Sequence, residues 1–107
     1  MKRVLFDQGT PLPLKKYLPL HAVSTTFELG WSQLQNGDLL AAAEGLFEVF
    51  VTTDKNLAYQ QDLSGRRLAI VVLPFASWPK LQLLLPAIVV AVDEATVGSL
   101  TSIPKPD

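Results

Sequence analysis

The sequence predicts an α/β domain with a mainly parallel sheet, and three observations predict it. Short, nearly continuous runs of β-branched and aromatic residues, such as EVFVTT (48–53) and RLAIVVL (67–73), read as strands covered on both faces. Segments with helix signals stand between these runs, and alternating strands and helices are the pattern of a parallel sheet. The chain has 107 residues, 49% of them hydrophobic, which makes one domain whose core needs neither a metal nor a disulfide staple.

Each element has its own signal. RVLF (3–6) is short and β-prone and ends abruptly, so it is the first strand. Thr10 followed by Pro11 is a helix start, because a proline in the first turn gives up a donor that has no partner there. Leu14 and Leu18 then share one helical face, with Lys15 and Lys16 pointing elsewhere. HAVSTT (21–26) is a second, shorter strand. Residues 28–45 begin as a loop and become helical near Asn36–Asp38; Leu39, Leu40 and Ala43 supply the buried side and Gly45 a stop. The runs at 48–53 and 67–73 are the third and fourth strands. Residues 77–95 form one kinked helix or two short ones, broken at Pro86. GSLTSI (98–103) adds an edge strand, so the domain spans 1–103 and 104–107 is a loose tail.

Composition excludes several classes of function. A net charge of −1 gives no whole-molecule attraction to nucleic acid or anionic lipid, so any contact with RNA has to come from local patches. The absence of cysteine excludes disulfides, thiolate metal sites and a cysteine nucleophile, and fits a cytoplasmic location. Met1-Lys2-Arg3 resembles a signal-peptide start, but only Val4-Leu5-Phe6 follows before Asp7. The longest apolar segment, 81–92, contains Gln82 and Pro86 and falls short of the ~20 residues that span a bilayer, so a soluble chain with no membrane partner is expected. That segment is apolar nearly all round. A small domain hardly buries such a helix alone, so a homodimer or another protein partner is expected to cover it.

Two strands end in aspartate. Asp7 follows the first and Asp54 the third, and in open α/β sheets ligands bind beyond the carboxyl ends of the strands. Neighbouring strands lie about 4.8 Å apart, so adjacency of strands one and three brings the two carboxylates together. Two close anions repel, and a hard divalent cation such as Mg²⁺, which accepts one or two carboxylates with water and phosphate, relieves the repulsion. Asp38, opening the 36–44 helix, offers a third oxygen. The plainer alternative is that each acid caps local backbone: Asp7 precedes Gln8-Gly9-Thr10-Pro11, Asp54 precedes Lys55-Asn56-Leu57, and Asp38 stands at a helix start.

Several segments carry a resemblance: LFDQGTPLPLKKYLP, GWSQLQNGDLLAAAE, VTTDKNLAYQQDL, RLAIVVL and SWP. Together they resemble small bacterial PIN-like domain proteins of unknown function, relatives of the PIN ribonucleases of toxin–antitoxin pairs. The similarity extends to about Asp93, and its most specific piece is TTDKNL (52–57). The resemblance implies a three-layer α/β/α domain with a sheet of four or five strands, strand one central and beside strand three. It implies Mg²⁺- or Mn²⁺-dependent hydrolysis of RNA phosphodiesters, with Asp7, Asp38 and Asp54 as catalytic metal ligands, and an antitoxin-like protein partner. The family pattern often carries acids where Gln8 and Asn56 stand here; as neutral groups these two, with Lys55, are expected to contact substrate. Three carboxylates hold one ion, whereas a two-metal clamp is under-supplied.

Other features are weighed against these. The single histidine, His21, is too isolated for a triad or a zinc site and reads as a surface or strand-start residue. Arg66-Arg67 reads as a solvated turn before a phosphate contact. Lys15 and Lys16 read as solvated, and Trp78-Pro79 as a packed helix start rather than a base-stacking platform; Trp31 is a further aromatic able to stack bases. Tyr59-Gln60-Gln61 follows the third acid at helical spacing without an evident mechanism. A receiver-like phosphoacceptor also places acids after strands one and three. It needs paired acids where Asp7-Gln8 stands and a lysine after strand five, where only Lys105 in the tail occurs. A PIN-like module that acts through a partner without catalysis is the stronger rival.

Overall fold

The computed structural model describes residues 1–57 and 65–106, and its five strands form one sheet in the order β2-β1-β3-β4-β5. The strands are β1 (Arg3–Phe6), β2 (Ala22–Thr25), β3 (Val49–Thr52), β4 (Ala69–Val72) and β5 (Leu100–Ser102), and every pairing is parallel. The sheet is thus wholly parallel rather than mainly so, and β1 is an interior strand with β2 on one side and β3 on the other. After β2 the chain crosses back over β1 and adds every later strand on the far side. The direction of winding therefore reverses between β1 and β3, which is where doubly wound sheets open a crevice.

The continuous apolar runs are explained by cover on both faces. Val4, Phe6, Val49, Val51, Ala69 and Val71 point to one side, where Leu14, Leu18, Leu81, Ile88 and Val92 meet them. Leu5, Phe50, Ile70 and Val72 point to the other, onto Leu39, Leu40 and Ala43 of helix α1 (Asn36–Glu44). The period of two along each strand assigns alternate residues to two separate cores, giving three layers.

The helices depart from expectation where prolines stand. After Pro11 the chain forms a 3₁₀ helix, Leu12–Tyr17, rather than an α-helix. Pro11, Pro13 and Pro19 have no N–H to give, and the bonds made are three residues long: Leu14 N–H to the Pro11 carbonyl at 3.2 Å and Leu18 N–H to that of Lys15 at 3.1 Å. Leu14 and Leu18 are still buried, with Lys15 and Lys16 exposed. The last helical region is α2 (Trp78–Leu81), a 3₁₀ turn over Gln82–Leu84, and α3 (Leu85–Asp93). Its break lies before Pro86, which occupies the first turn of α3, where a missing donor costs nothing. Gly45 ends α1 with right-handed backbone, φ −82°, rather than a left-handed cap.

The amino edge of the sheet is tied by charged groups. Lys2 Nζ donates to the carbonyls of Val92 and Asp93, placing a cation at the carboxyl end of α3, where the helix dipole favours it. His21 does precede β2, but its ring is buried rather than on the surface: Nδ1 accepts from Lys2 N–H at 3.1 Å and Nε2 lies 2.6 Å from Asp93 Oδ1. Arg66-Arg67 is likewise not a free solvated turn. Glu44 bonds Arg66 Nη1 at 3.1 Å and accepts from Arg67 N–H at 2.7 Å. Arg3 holds Glu48 through its backbone N–H at 2.6 Å and its guanidinium at 3.1 Å. Burial opposes the Glu48 charge, but these bonds and the Arg3 charge outweigh it and hold the carboxyl below its ordinary value of 4.5.

Among the described residues no helix is long and apolar enough to cross a membrane. Tyr59, Gln60 and Gln61 lie outside the described residues.

Three outcomes follow for stability. Phe50→Ala, at a side chain 1% exposed, is expected to lower unfolding free energy by about 3–5 kcal/mol in urea titration. Leu83→Ala, at a side chain 75% exposed, should stay within about 0.5 kcal/mol of wild type. Because the folded Glu48 carboxyl is depressed, its contribution is full above its ordinary value of 4.5 and is lost as pH falls through the folded value. With the side chain 45% exposed, the gap between wild type and Glu48→Gln should be less than about 1 kcal/mol at pH 7 and close on acidification.

Candidate acidic site at the carboxyl edge of the sheet

Phe6 is in register with Val51, so the two chains leave the sheet side by side, one into Asp7 and the other into Thr52. Asp7 N–H continues the ladder to the Val51 carbonyl at 2.9 Å. The hydroxyl of Thr52, fully buried, donates to Asp7 Oδ2 at 2.8 Å and accepts from Asp54 N–H at 3.0 Å. One oxygen atom thus joins the acid after β1 to the residue carrying the acid after β3.

The loops around it are close. Thr10 folds back with its N–H on the Asp7 carbonyl at 3.0 Å and its hydroxyl on the Val51 carbonyl at 3.0 Å. A Cβ on Gly9 would stand 2.6 Å from Thr53 Oγ1, so the β1 loop touches the β3 loop only because this residue has no side chain. Both plain capping expectations are met as well: Gln8 N–H donates to Asp7 Oδ1 at 2.8 Å and Asn56 N–H to Asp54 Oδ1 at 3.0 Å. At Asp7 the bonds above use one acceptor site on each oxygen, out of the roughly four lone-pair sites of an ionised carboxylate.

The other expected residues are placed as follows. Asp38 is exposed in the first turn of α1, a position in which its charge complements the helix dipole. Among the described residues no group of three His, Cys, Asp or Glu side chains is assembled to hold a metal. A pair of carboxylates suits one hard cation completed by water and phosphate; it does not suit two ions. Gln8, Lys55 and Asn56 are exposed around the pair. Lost hydration, then the like charge of Lys105, holds the Lys55 ammonium below its ordinary pKa. Trp31 packs edge-on against Phe47 with centroids 6.3 Å apart, and Trp78 opens α2 against Tyr17 at 5.7 Å, so both rings serve packing.

Beside Asp7 a pocket of about 260 Å³ is lined by Gln8, Thr10, Thr26 and Phe27. The Thr26 hydroxyl is buried with no hydrogen-bond partner among the described residues. A larger cavity, about 570 Å³, lies at the opposite edge; there Arg3 pairs with Glu48, and Glu44 is held by the Arg66 guanidinium and the Arg67 N–H. The chemistry and the winding reversal favour the carboxyl edge. Sequence reasoning missed Thr52 as a link. A polar residue closing an otherwise apolar strand was its only signal.

No model of a known protein family, no curated protein and no solved structure matches the chain.

Thr52→Val removes the shared hydroxyl while keeping shape. It is expected to cost about 1–3 kcal/mol in chemical denaturation, since Asp54 N–H loses its acceptor. Thr52→Ser, which keeps the hydroxyl, should recover most of that loss.

Proposed function

We propose that this protein is a PIN-like, metal-dependent hydrolase of RNA phosphodiesters, with Asp7 and Asp54 as the ligands of one Mg²⁺ or Mn²⁺ ion. The observation that supports the reading is that the acids follow adjacent strands where the winding reverses, with the Thr52 hydroxyl joining the Asp7 carboxylate to the backbone N–H of Asp54. A bound ion supplies Lewis-acid charge for the phosphate and a more acidic water.

The chain supplies the rest. Thr52 holds Asp7 by one oxygen and thereby fixes the direction of its remaining lone pairs. The backbone bonds from Gln8 and Asn56 keep both carboxylates from turning to solvent. The side chains of Gln8 and Asn56 are neutral, so they can donate to water or phosphate without adding repulsion to the acid pair. Lys55, directly after Asp54, gives a cation for a neighbouring backbone phosphate, a contact that positions RNA without reading its sequence. Asp38 enters this reading as the third ligand that the resemblance implies.

A second reading, a PIN-like module acting through a partner, is favoured by the surface of the last helical region. Leu81, Ile88 and Val92 are buried, but Leu83 and Val90 stand 75% and 51% exposed. A second copy or an antitoxin-like protein would cover them.

Thermal unfolding with and without Mn²⁺ tests the first reading. An ion at one hundred times its Kd should stabilise wild type by about 2.7 kcal/mol, and Asp7→Asn or Asp54→Asn should abolish the shift. Cleavage of a labelled RNA should fall in the same two variants with folding intact. Asp38→Asn separates a ligand, whose loss weakens the Mn²⁺ shift, from a cap, whose loss lowers stability alone. Wild type that neither shifts nor cleaves would leave the partner reading standing.

A further inference from the structure

We propose that the pocket between Lys55 and Lys105 is a binding site for a phosphomonoester group. The pocket, about 260 Å³, lies beyond the carboxyl ends of β4 and β5 and is lined by Lys55, Val72, Leu73, Pro74, Ser102, Ile103 and Lys105. This inference needs neither a metal nor the two acids; it shares only Lys55 with the hydrolase reading and holds or fails without it.

Three features of the pocket define its ligand. The first is charge. Two lysines line the pocket, close enough for the charge of Lys105 to act on Lys55; among the described residues no carboxylate lines it and neither lysine is in an ion pair. The repulsion is relieved by an anion, and a ligand of nearly two charges matches two lysines. A phosphomonoester carries about −1.5 to −2 at pH 7, whereas a backbone diester carries one. The second is the donor set. Lys55 Nζ, Lys105 Nζ and the Ser102 hydroxyl give one donor group to each of the three terminal oxygens of a phosphoryl group. The third is size and wall. The volume is below the roughly 300–1,000 Å³ of sites that enclose whole ligands, so it suits one end group. Buried Val72, Leu73, Pro74 and Ile103 form an apolar back that strengthens charge interactions at its mouth.

The chain is anchored just before Lys105. Ile103 is buried in the core and its N–H bonds the Val72 carbonyl at 2.9 Å, so the chain is fixed two residues before Lys105. Pro104 restricts the single step between them. Lys55 is set from the other side by the Asp54 turn, closed by Asn56 N–H on Asp54 Oδ1.

The test is titration of the full chain in EDTA, followed by amide NMR shifts and calorimetry. The probes are inorganic phosphate, a sugar phosphomonoester, its methyl diester, and one oligonucleotide with and without a 5′-phosphate. The expected result is shifts at Lys55, Ser102 and Lys105, with the monoester binding at least tenfold tighter than the diester. Lys55→Gln and Lys105→Gln should each weaken the monoester at least tenfold, and Lys105→Arg should restore most of the loss. Both lysines are exposed, and unchanged unfolding midpoints will verify the fold. If the 5′-phosphorylated oligonucleotide outcompetes the free monoester tenfold, the natural source is a nucleic-acid end; equal affinity assigns a small phosphomonoester. Equal affinity for monoester and diester, binding untouched by both Gln variants, or no binding at millimolar probe overturns the proposal.

Discussion

The pairing of β1 with β3, Val4 to Phe6 against Val49 to Val51, is the contact on which the rest of this molecule depends. It is the seam where the sheet stops winding one way and begins winding the other. It also delivers both cores at once, since Leu5 and Phe50 point to one layer while Phe6 and Val51 point to the opposite one. At its upper end the same register places Asp7 beside Thr52, and from there the hydroxyl of a fully buried threonine reaches both acid loops. A slip of one residue would invert every side chain of the strand, exchanging the two cores and carrying Asp7 away from that hydroxyl.

Polar groups at this seam are satisfied by one another. The Thr10 hydroxyl and Asp7 N–H share the Val51 carbonyl, and Thr52 donates to one acid and accepts from the backbone of the other. Unpaired, each such group would cost on the order of 1–3 kcal/mol. The carboxyl edge is therefore held by a connected set of bonds rather than by isolated caps. The amino edge uses charges instead, with Lys2, Arg3, Glu44 and Glu48 each tied to a strand or helix end. The two edges thus differ in kind: ion pairs and helix-end contacts at one, hydrogen bonds from hydroxyl and backbone groups to carboxylates at the other.

Much of this fold was legible because its strands carry no alternation. Continuous apolar runs at 48–53 and 67–73 mean cover on both faces, and cover on both faces means a parallel sheet between helix layers. Asp7 and Asp54 were legible as strand-end acids, and the pairing of β1 with β3 brings the two strand ends side by side. What escaped the sequence depends on three-dimensional partners. Nothing in Thr52 itself reveals that its hydroxyl spans two loops, and nothing in Glu44 reveals a bond to a turn 22 residues away. The 3₁₀ helix was missed because the helix-start signal at Pro11 was weighed without the effect of a second proline two residues later.

The two edges of β1 are filled at very different times as the chain is made. Its partner β2 begins 19 residues after it, Arg3 against Ala22, whereas β3 lies 45 residues on, Val4 against Val49. A chain emerging from the ribosome can form the first pair early, yet it carries a bare row of strand donors and acceptors until residues 49–52 have left the exit tunnel. Such an open edge is a template for pairing with other chains. Pairing with β3 thus closes the second edge of the first strand this polypeptide makes, and the bond from Thr52 to Asp7 comes into being only at that step.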